Sequence, residues 1–305
     1  MKAVYKFKKL IFFMAFFSTI VYLTYRVFFT IPTDNILNIV FGIIILSLEL
    51  LEGFFYGVYY LNILLPKKPN PRLPKIKDNE YPELDILIAT INEDKELVEE
   101  TIKKCLSMKY PDDKKKHIYL CDDGKRFEMK DLCKRLKINY IDRKNNKNAK
   151  AGNYNNALTK TSSPYVVVFD ADMQPEPNFL LETVPYLVKD KNIGFVQTPQ
   201  CFRNADIYQP RFNLENEVHH EQSYFFEEIQ SSKNTINSVI YCGTNAVFRR
   251  EALEEAGGFA TESITEDIAT GIMIESLGYK AISINKKLAF GLNVNNFDSY
   301  TKQKI

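Results

Sequence analysis

Three short apolar runs alternate with helical patterns along this chain, and the alternation limits the folds that the sequence can adopt. The runs cover residues 84–89, 117–121 and 165–169, and each has the length and composition of a β-strand. Residues 94–107, 127–136 and 151–160 have the pattern of helices. This succession predicts βαβ units, and therefore an α/β domain built on a mainly parallel sheet.

Polar and acidic residues follow each of the three runs. The carboxyl ends of parallel strands meet at one edge of a sheet, where open α/β folds build their ligand sites. The residues expected at that edge are Thr90, Asn92 and Glu93 after the first run, Asp122, Asp123 and Gly124 after the second, and Asp170 and Asp172 after the third. The sequence therefore predicts a functional site there.

Asp170 and Asp172 are candidate metal ligands. A valine-rich run delivers both carboxylates at a buried strand end, where like charges repel unless a cation neutralises them. Oxygen ligands with open positions suit Mg²⁺ or Mn²⁺ held jointly with a diphosphate. The alternative is that the two aspartates end the strand and cap the helix near Pro177.

Two further acidic segments each have a structural and a functional interpretation. Asp122 and Asp123, with the glycine that follows, either form a turn or contact a nucleotide. Asp267 precedes an apolar helical run over residues 268–277, with Thr265 as the expected helix cap. A carboxylate fixed at a helix start can also serve as a base toward an acceptor hydroxyl, so Asp267 is a candidate catalytic residue.

Two apolar runs near the N-terminus, at about residues 10–29 and 36–55, predict a transmembrane hairpin. A cleaved signal peptide is the alternative for the first run, but its length exceeds the usual apolar core of roughly 7–15 residues. Basic residues flank the hairpin and are missing from the short loop, which predicts that both ends lie in the cytoplasm. Glu49 and Glu52 are then expected near the cytosolic end of the second span, in contact with water, and the alternative is a functional pair inside the membrane.

The composition completes the predicted domain plan. The hairpin would occupy residues 1–65, a proline- and lysine-rich linker attracted to anionic lipid residues 66–83, and the cytosolic domain residues 84–305. A formal net charge of +2 predicts no nucleic-acid partner. The five cysteines are scattered and odd in number, so we expect reduced thiols rather than a disulfide framework or a zinc site.

Seven short motifs occur in a fixed order between about residue 84 and the end of the chain. They are Thr90-Ile91-Asn92-Glu93, Asp122-Asp123-Gly124, Asn148-Ala149-Lys150-Ala151-Gly152-Asn153, Asp170-Ala171-Asp172, Val196-Gln197-Thr198-Pro199-Gln200, Tyr241-Cys242-Gly243-Thr244-Asn245 and Thr265-Glu266-Asp267. In this order they resemble the inverting family 2 glycosyltransferases, in their cellulose-synthase-like membrane branch. The resemblance implies a GT-A-type nucleotide-sugar-binding domain.

The resemblance also implies a role for each motif. Asp170 and Asp172 would bind the Mg²⁺ or Mn²⁺ that bridges the donor diphosphate, and Asp267 would be the general base. Gln197 to Gln200 would lie beside the donor sugar. The remaining assignments are donor binding and acceptor-side contacts. Donor binding would fall to Thr90, Asn92, Glu93, Asp122, Asp123 and Lys150, all of which except Asp123 would hold the uridine, and acceptor-side contacts to Tyr241, Cys242, Gly243, Glu266 and Gln303.

One motif of that branch is incomplete in this sequence. The branch carries Gln-x-x-Arg-Trp after the base motif, whereas here Gln303 is followed only by Lys304 and Ile305, and the chain has no tryptophan. We therefore expect a fragment cut inside this motif, with little or no polymerase activity.

The expected function is transfer of a sugar, with inversion, from a UDP-sugar to the hydroxyl of a growing β-glucan. UDP-glucose is the favoured donor, and UDP-N-acetylglucosamine, as in chitin- or hyaluronan-type synthases, is the alternative. A second alternative is a non-catalytic, nucleotide-binding membrane scaffold. The resemblance implies a multi-pass protein of the bacterial inner membrane with its catalytic domain in the cytoplasm; further synthase subunits would be partners alongside the donor, the polysaccharide and the bilayer.

Overall fold

The chain forms two units, Met1–Pro66 and Lys67–Ile305. The structure, a computed structural model, describes residues 2–64, 70–205, 207, 209–212, 223–293, 297 and 301. Helices α1 (Lys2–Phe29) and α2 (Ile36–Leu64) make up the N-terminal unit. Their segments Lys9–Phe29 and Ile36–Val58 are long and apolar enough to cross a membrane, judged by length and composition.

Helices α1 and α2 pack against each other in opposite directions. A Cβ atom on Gly53 would lie 2.6 Å from Leu23 Cδ1, so the glycine allows the two helices to approach closely. Farther along the pair, the rings of Phe12 and Tyr60 lie 5.8 Å apart. Small residues that allow close backbone approach are a usual means by which apolar helices associate in a membrane.

An ion pair joins the two helices. Arg26 Nε donates to Glu49 Oε2 at 2.7 Å, and the Tyr22 hydroxyl donates to Glu49 Oε1 at 3.3 Å. Arg26 also donates to the Thr30 hydroxyl. The carboxylate of Glu49 is therefore neutralised by a residue of the first helix, a pairing that the sequence alone does not predict.

The second unit alternates strands and helices. Its strands are β1 (Leu84–Thr90), β2 (Lys116–Asp122), β3 (Asn139–Ile141), β4 (Tyr165–Asp170), β5 (Gln174–Pro175), β6 (Ile193–Gln197), β7 (Cys201–Phe202), β8 (Ala246–Arg249), β9 (Lys280–Ser283) and β10 (Ala289–Gly291). Its helices are α3 (Lys95–Leu106), α4 (Phe127–Leu136), α5 (Ala149–Leu158), α6 (Phe179–Lys189), α7 (Ser231–Lys233), α8 (Arg250–Glu255) and α9 (Glu266–Ser276).

Seven of the strands form one sheet in the order β3-β2-β1-β4-β8-β6-β9. All neighbours are parallel except β8, which runs antiparallel to both β4 and β6. Strands β5, β10 and β7 form a second, small sheet. The α/β fold with a mainly parallel sheet is thus confirmed.

Helices cover both faces of the large sheet. Every residue of β1 is buried, as expected for a strand that lies between two parallel neighbours under helices on each side. Helix α3 buries Val98, Ile102 and Cys105, which share one helical face, in the cluster on the first sheet face. Tyr154 of α5 and Ile274 of α9 belong to the cluster on the other face.

A buried ion pair lies near the amino ends of the strands. Arg250 Nη2 and Asp85 Oδ2 are 2.8 Å apart, and their side chains are only 8% and 1% exposed. Ser163 donates its backbone N–H and its hydroxyl to the same carboxylate. Asp85 precedes the last residue of β1 by five positions, so this pair lies roughly 16 Å from the carboxyl edge of the sheet.

Candidate active site

The carboxyl ends of β1, β2 and β4 are level with one another. Thr90 pairs with Asp122 across β1 and β2, and Ala89 pairs with Asp170 across β1 and β4. The loops that leave these strands therefore start from the same edge of the sheet. This is the edge at which the sequence predicts the site.

The loop after β1 is shaped by Glu93. Its Oε2 atom accepts from the Thr90 hydroxyl and the Ile91 N–H, both at 2.7 Å, and from the Asn92 N–H at 3.2 Å. Burial by itself would raise the pKa of Glu93, but these hydrogen bonds outweigh it and hold the pKa below its usual range. Glu93 is thus an ionised residue that folds the loop, while Asn92 beside it is exposed.

Asp122 is completely buried and is held by Arg126. Its Oδ1 accepts from the Gly124 N–H and from the Arg126 guanidinium, at 3.0 and 3.2 Å. Its Oδ2 accepts from the Arg126 N–H and from the Tyr140 hydroxyl, at 2.7 and 3.0 Å. The first aspartate of the predicted donor motif is therefore fully hydrogen-bonded within the protein.

Asp123 has an arginine of its own. Arg143 binds its two carboxylate oxygens with Nε and Nη2, each at 2.6 Å, in a bidentate pair. The side chains of Arg143 and Asp123 are only 9% and 5% exposed. The backbone of Asp123 is also engaged, because its carbonyl accepts from the Asn146 side chain.

Lys150 and Asp170 form the charged centre of the edge. Lys150 Nζ lies 3.1 Å from Asp170 Oδ1, and about a third of each side chain is exposed. Burial would lower the pKa of Lys150, but the charges of Asp170, Glu266 and Asp267 outweigh it and raise the pKa. The resemblance implies that Lys150 holds the uridine, and the structure brings its ammonium group beside Asp170, one of the two predicted metal ligands.

Asp172 carries negative charge that its surroundings do not neutralise. Burial, followed by the charge of Asp170, raises its pKa to about 6. A cation placed between the two carboxylates would relieve both effects. Among the described residues there is no cluster of three or more His, Cys, Asp or Glu side chains. Two carboxylates fit an ion such as Mg²⁺, which takes few protein ligands and completes its shell with phosphate oxygens and water.

Gly243 lies between Lys150 and Asp267. A Cβ atom on this glycine would be 3.1 Å from Lys150 Nζ and 3.4 Å from Asp267 Oδ2. The φ angle of Gly243 is +80°, a backbone conformation that residues other than glycine rarely adopt. The structure thus brings the metal motif, the lysine and the predicted base to one place, and the glycine leaves room for them.

Three glutamines hold the loop that carries Gly243. Gln197 accepts from the Cys242 N–H at 3.0 Å and donates to the Thr244 carbonyl at 2.9 Å. Gln200 donates to the Cys242 carbonyl, and Gln230 exchanges two hydrogen bonds with the backbone of Ile240. Amide side chains suit this task because each offers a donor and an acceptor to the backbone.

Tyr241 packs its ring in the core. The ring is buried among Phe248, Phe259 and Phe195, with centroids 4.9, 6.2 and 6.3 Å away. Burial, together with the charges of Asp170 and Asp267 at the site, raises the pKa of the tyrosine hydroxyl. Cys242 is half-buried and its thiol lies 3.3 Å from Gln230 Nε2. Within this motif it is Gly243 that reaches the charged centre.

Asp267 stands in the first turn of α9. The helix begins at Glu266, two residues earlier than expected, and both acids are partly exposed. Asp267 Oδ1 accepts from the Ile268 N–H at 2.8 Å, which fixes the carboxylate against the helix start. Thr265 occupies the cap position, but its hydroxyl contacts Ser263 and makes no cap hydrogen bond. Gln303 lies outside the described residues.

Sequence reasoning missed Arg126 and Arg143. Arg126 follows the Asp122-Asp123-Gly124 motif closely and is an obvious partner for it, whereas Arg143 is 20 residues from its aspartate along the chain. No local pattern identifies the second arginine. Only the parallel pairing of β2 with β3, which precedes Arg143, brings it to the site.

The fold and the charged edge together define a GT-A-type, nucleotide-sugar-binding protein. Residues 85–257, more than half of the chain, match the family model described as glycosyl transferase family 2. The chain therefore belongs to the family 2 glycosyltransferases.

Bacterial cellulose synthases are among the curated relatives of the chain. The chain is 31% identical over 284 residues to the UDP-forming cellulose synthase catalytic subunit of Pseudomonas fluorescens, covering 93% of this chain and 38% of that protein. The corresponding subunit of Xanthomonas axonopodis pv. citri is also 31% identical, covering 93% of this chain and 39% of that protein. The chain thus spans about two fifths of the length of these relatives.

Solved structures share the fold at low identity. The mannosyltransferase PcManGT from Pyrobaculum calidifontis, in complex with GDP-Man and Mn²⁺, has a TM-score of 0.58 at 23% identity, covering 78% of this chain and 63% of that one. TarS 1–349 of S. aureus, in complex with UDP-GlcNAc, has a TM-score of 0.51 at 12% identity, covering 70% and 59%. At these identities the likeness concerns the fold alone.

Proposed function

We propose that the chain is the donor-binding and catalytic part of a metal-dependent, inverting glycosyltransferase. It would move glucose from UDP-glucose to the hydroxyl of a growing β-glucan, because its relatives are UDP-forming cellulose synthases. The observation that carries the proposal is the meeting of Asp170, Lys150 and Asp267 around Gly243. A cation site, a fixed positive charge and a candidate base are what this transfer requires.

Asp267 would act as the base. One of its oxygens is occupied by the Ile268 N–H, and the other lies toward Gly243 and Lys150. The second oxygen would accept the proton of the acceptor hydroxyl as that hydroxyl's oxygen bonds to the anomeric carbon. The bond from this carbon to the diphosphate breaks on the opposite face, so the configuration inverts and the electron pair leaves with UDP.

Lys150 would stabilise the leaving group. Its ammonium is held beside Asp170 by an ion pair that leaves about a third of the side chain exposed, so it can also reach a phosphate oxygen. Asp170 and Asp172 would hold Mg²⁺ or Mn²⁺, which supplies further positive charge to the diphosphate when bound. Both contributions grow as charge develops on the leaving oxygen, and they therefore favour the transition state.

The proposal includes the membrane anchor, the domain boundaries and the partners of the protein. The apolar helices α1 and α2 would anchor the protein in the inner membrane as a hairpin, with both ends in the cytoplasm. The domain boundaries would be those expected from the sequence, with a linker over residues 66–83. The acceptor would be a polysaccharide, and further synthase subunits would be partners of the complete protein.

The test is release of UDP from labelled UDP-sugars, a reaction that water can complete without polymerisation, with each sugar offered separately to membranes that contain the chain. We expect UDP to be released from UDP-glucose in Mg²⁺, faster than from UDP-N-acetylglucosamine. Asp267→Asn should bind UDP normally and release none from the donor, and Glu262→Gln, which alters an exposed carboxylate, is the matched control. Faster turnover of UDP-N-acetylglucosamine would reassign the donor, and UDP binding without any turnover would support the scaffold instead.

A further inference from the structure

Two arginines, Arg126 and Arg143, organise the loops around the predicted donor site. Each pairs with one of the adjacent residues Asp122 and Asp123, and each extends beyond that pair to other segments. Guanidinium groups are suited to such a task because they present several donors in a rigid plane. The segments that each arginine reaches are different.

Arg126 ties together the loops that follow β1 and β2. Besides Asp122, its Nη2 donates to the Thr90 hydroxyl at 2.7 Å and its Nη1 donates to the Glu93 carbonyl at 2.6 Å. Gly124 makes room for this arrangement, since a Cβ there would lie 2.3 Å from the Ile91 carbonyl oxygen and 2.9 Å from Arg126 Nε. One side chain thus fixes three of the residues predicted to bind the donor nucleoside.

Arg143 fixes the start of α5 instead. Besides Asp123, its Nη1 donates to the Lys147 carbonyl at 2.6 Å and its Nη2 donates to the Ala149 carbonyl at 2.8 Å. The turn at this point is strained, with φ angles of +61° at Asn148 and +42° at Ala149. Lys150 is the next residue, so the guanidinium holds the backbone from which the ammonium reaches Asp170.

We propose that Arg126 and Arg143 are positioning residues with separate tasks in donor binding. Arg126 sets the loops that receive the nucleoside, and Arg143 sets the strained turn that aims Lys150 at the diphosphate. The inference rests on the proposed function, because it assumes that a UDP-sugar binds at this edge. It assigns neither arginine a contact with the donor.

The Asp85–Arg250 pair provides a matched control. Arg250 is as deeply buried as Arg143, it pairs with an equally buried aspartate, and it also donates to a backbone carbonyl, that of Ser163. It lies at the amino ends of the strands, away from the candidate site. Replacing it by lysine disturbs the same chemistry without touching the donor loops.

The experiment compares Arg126→Lys, Arg143→Lys and Arg250→Lys in the whole chain, purified in detergent. The dissociation constants of UMP and of UDP with Mg²⁺ are measured by calorimetry, together with the Tm of each variant. Lysine keeps the charge but cannot reproduce the planar set of donors. Should Arg143→Lys fail to accumulate, Arg143→Gln combined with Asp123→Asn replaces it, because that double variant leaves no unpaired buried charge. Asp123→Asn alone is then the reference, since Asp123 is itself predicted to bind the donor.

Each variant has a distinct expected result. Arg126→Lys should raise the dissociation constants of UMP and UDP by the same factor, about tenfold. Arg143→Lys should raise the dissociation constant of UDP about tenfold but that of UMP less than about twofold, since only binding of the diphosphate depends on Lys150. Arg250→Lys should lower Tm and leave both dissociation constants unchanged.

Other results would overturn the inference. Unchanged affinities in both site variants would refute positioning, and equal losses of UMP and UDP in both would refute the separate tasks. Losses of affinity of the same size in Arg250→Lys would show that reduced stability, rather than positioning of the donor loops, weakens binding. Failure of the unaltered chain to bind UDP would overturn the proposed function itself, which distinguishes that result from the others.

Discussion

Most carboxylates of the candidate site are already neutralised within the protein. Asp122 and Asp123 are paired with arginines, and Glu93 accepts three hydrogen bonds from its own loop. Asp172 is different, because burial and a neighbouring carboxylate raise its pKa to about 6. An acid in this situation is the natural ligand for an added cation.

Replacing Asp172 with alanine should therefore impair donor binding only when metal is present. In Mg²⁺ we expect UDP affinity to fall about tenfold, the loss that corresponds to a contact worth about 1.4 kcal/mol. In chelator the affinity should hardly change, as calorimetry can measure. Asp131→Ala, which removes an exposed aspartate of α4, is the control. Equal effects with and without Mg²⁺ would contradict the metal role.

Gly243 should be needed for its small size as well as for its backbone conformation. Alanine at this position would have to adopt a φ of +80° and would crowd Lys150 and Asp267. Gly257 has a φ of +84°, but a Cβ there meets nothing within 4 Å. Gly243→Ala and Gly257→Ala should thus share a backbone penalty of about 1–2 kcal/mol.

Turnover should separate these two variants. We expect Gly243→Ala to lose at least about tenfold in kcat, equivalent to about 1.4 kcal/mol in the barrier, while Gly257→Ala keeps its activity. Tm measurements would verify that the two backbone penalties are similar. Normal turnover by a folded Gly243→Ala variant would show that the space beside Lys150 and Asp267 is not required.

At the scale of elements, helix α9 carries a carboxylate whose pKa is raised, as that of Asp172 is. Glu275, near its end, has an Oε1 atom that is buried and, among the described residues, has no hydrogen-bond partner. Burial raises its pKa to about 7, and a hydrogen bond from the Val239 backbone and the charge of Lys233 offset this only in part. The folded protein therefore binds a proton at Glu275 more tightly than the unfolded chain does.

This difference makes stability depend on pH. The stabilisation by the bound proton is fully present below the ordinary pKa of 4.5 and is lost as pH rises through about 7. Glu275→Gln stays neutral, so at pH 8 its Tm should exceed that of the unaltered chain by about 2–4 °C, after allowance for screening at this partly exposed site. The gap should close near pH 4. A constant difference across pH, or one shared by Glu262→Gln, would refute the assignment.

The sequence was informative for elements whose pattern is local. The strands β1, β2 and β4 lie where apolar runs end in polar residues, and their level ends follow from parallel pairing. The position of β8 in the sheet could not be predicted from a local pattern. This strand runs antiparallel between β4 and β6, which both precede it in the chain. The packing of Tyr241 is non-local for a similar reason: the rings that bury it come from Phe195, Phe248 and Phe259.

At the scale of the whole molecule, the hairpin topology is open to a direct test. A reporter fused at Thr33, in the loop between α1 and α2, should be extracytoplasmic, because the loop lacks basic residues. A reporter at Asn70, after the second helix, should be cytoplasmic. The measurement would use enzymatic reporters that are active on only one side of the membrane. A cytoplasmic result at Thr33 would contradict the hairpin.

The ion pair between the two helices also bears on how the molecule is made. Arg26 leaves the ribosome before Glu49, which lies 23 residues later in the chain. At a synthesis rate of about 5–20 residues per second, Glu49 is made roughly 1–5 s after Arg26. Arg26 lies three residues before the end of its apolar segment, where an arginine can extend its guanidinium to the interface and costs less than the roughly 2.5 kcal/mol of a bilayer centre. We therefore expect the first helix to enter the lipid with Arg26 at the interface, and the ion pair to form when the second helix inserts beside it.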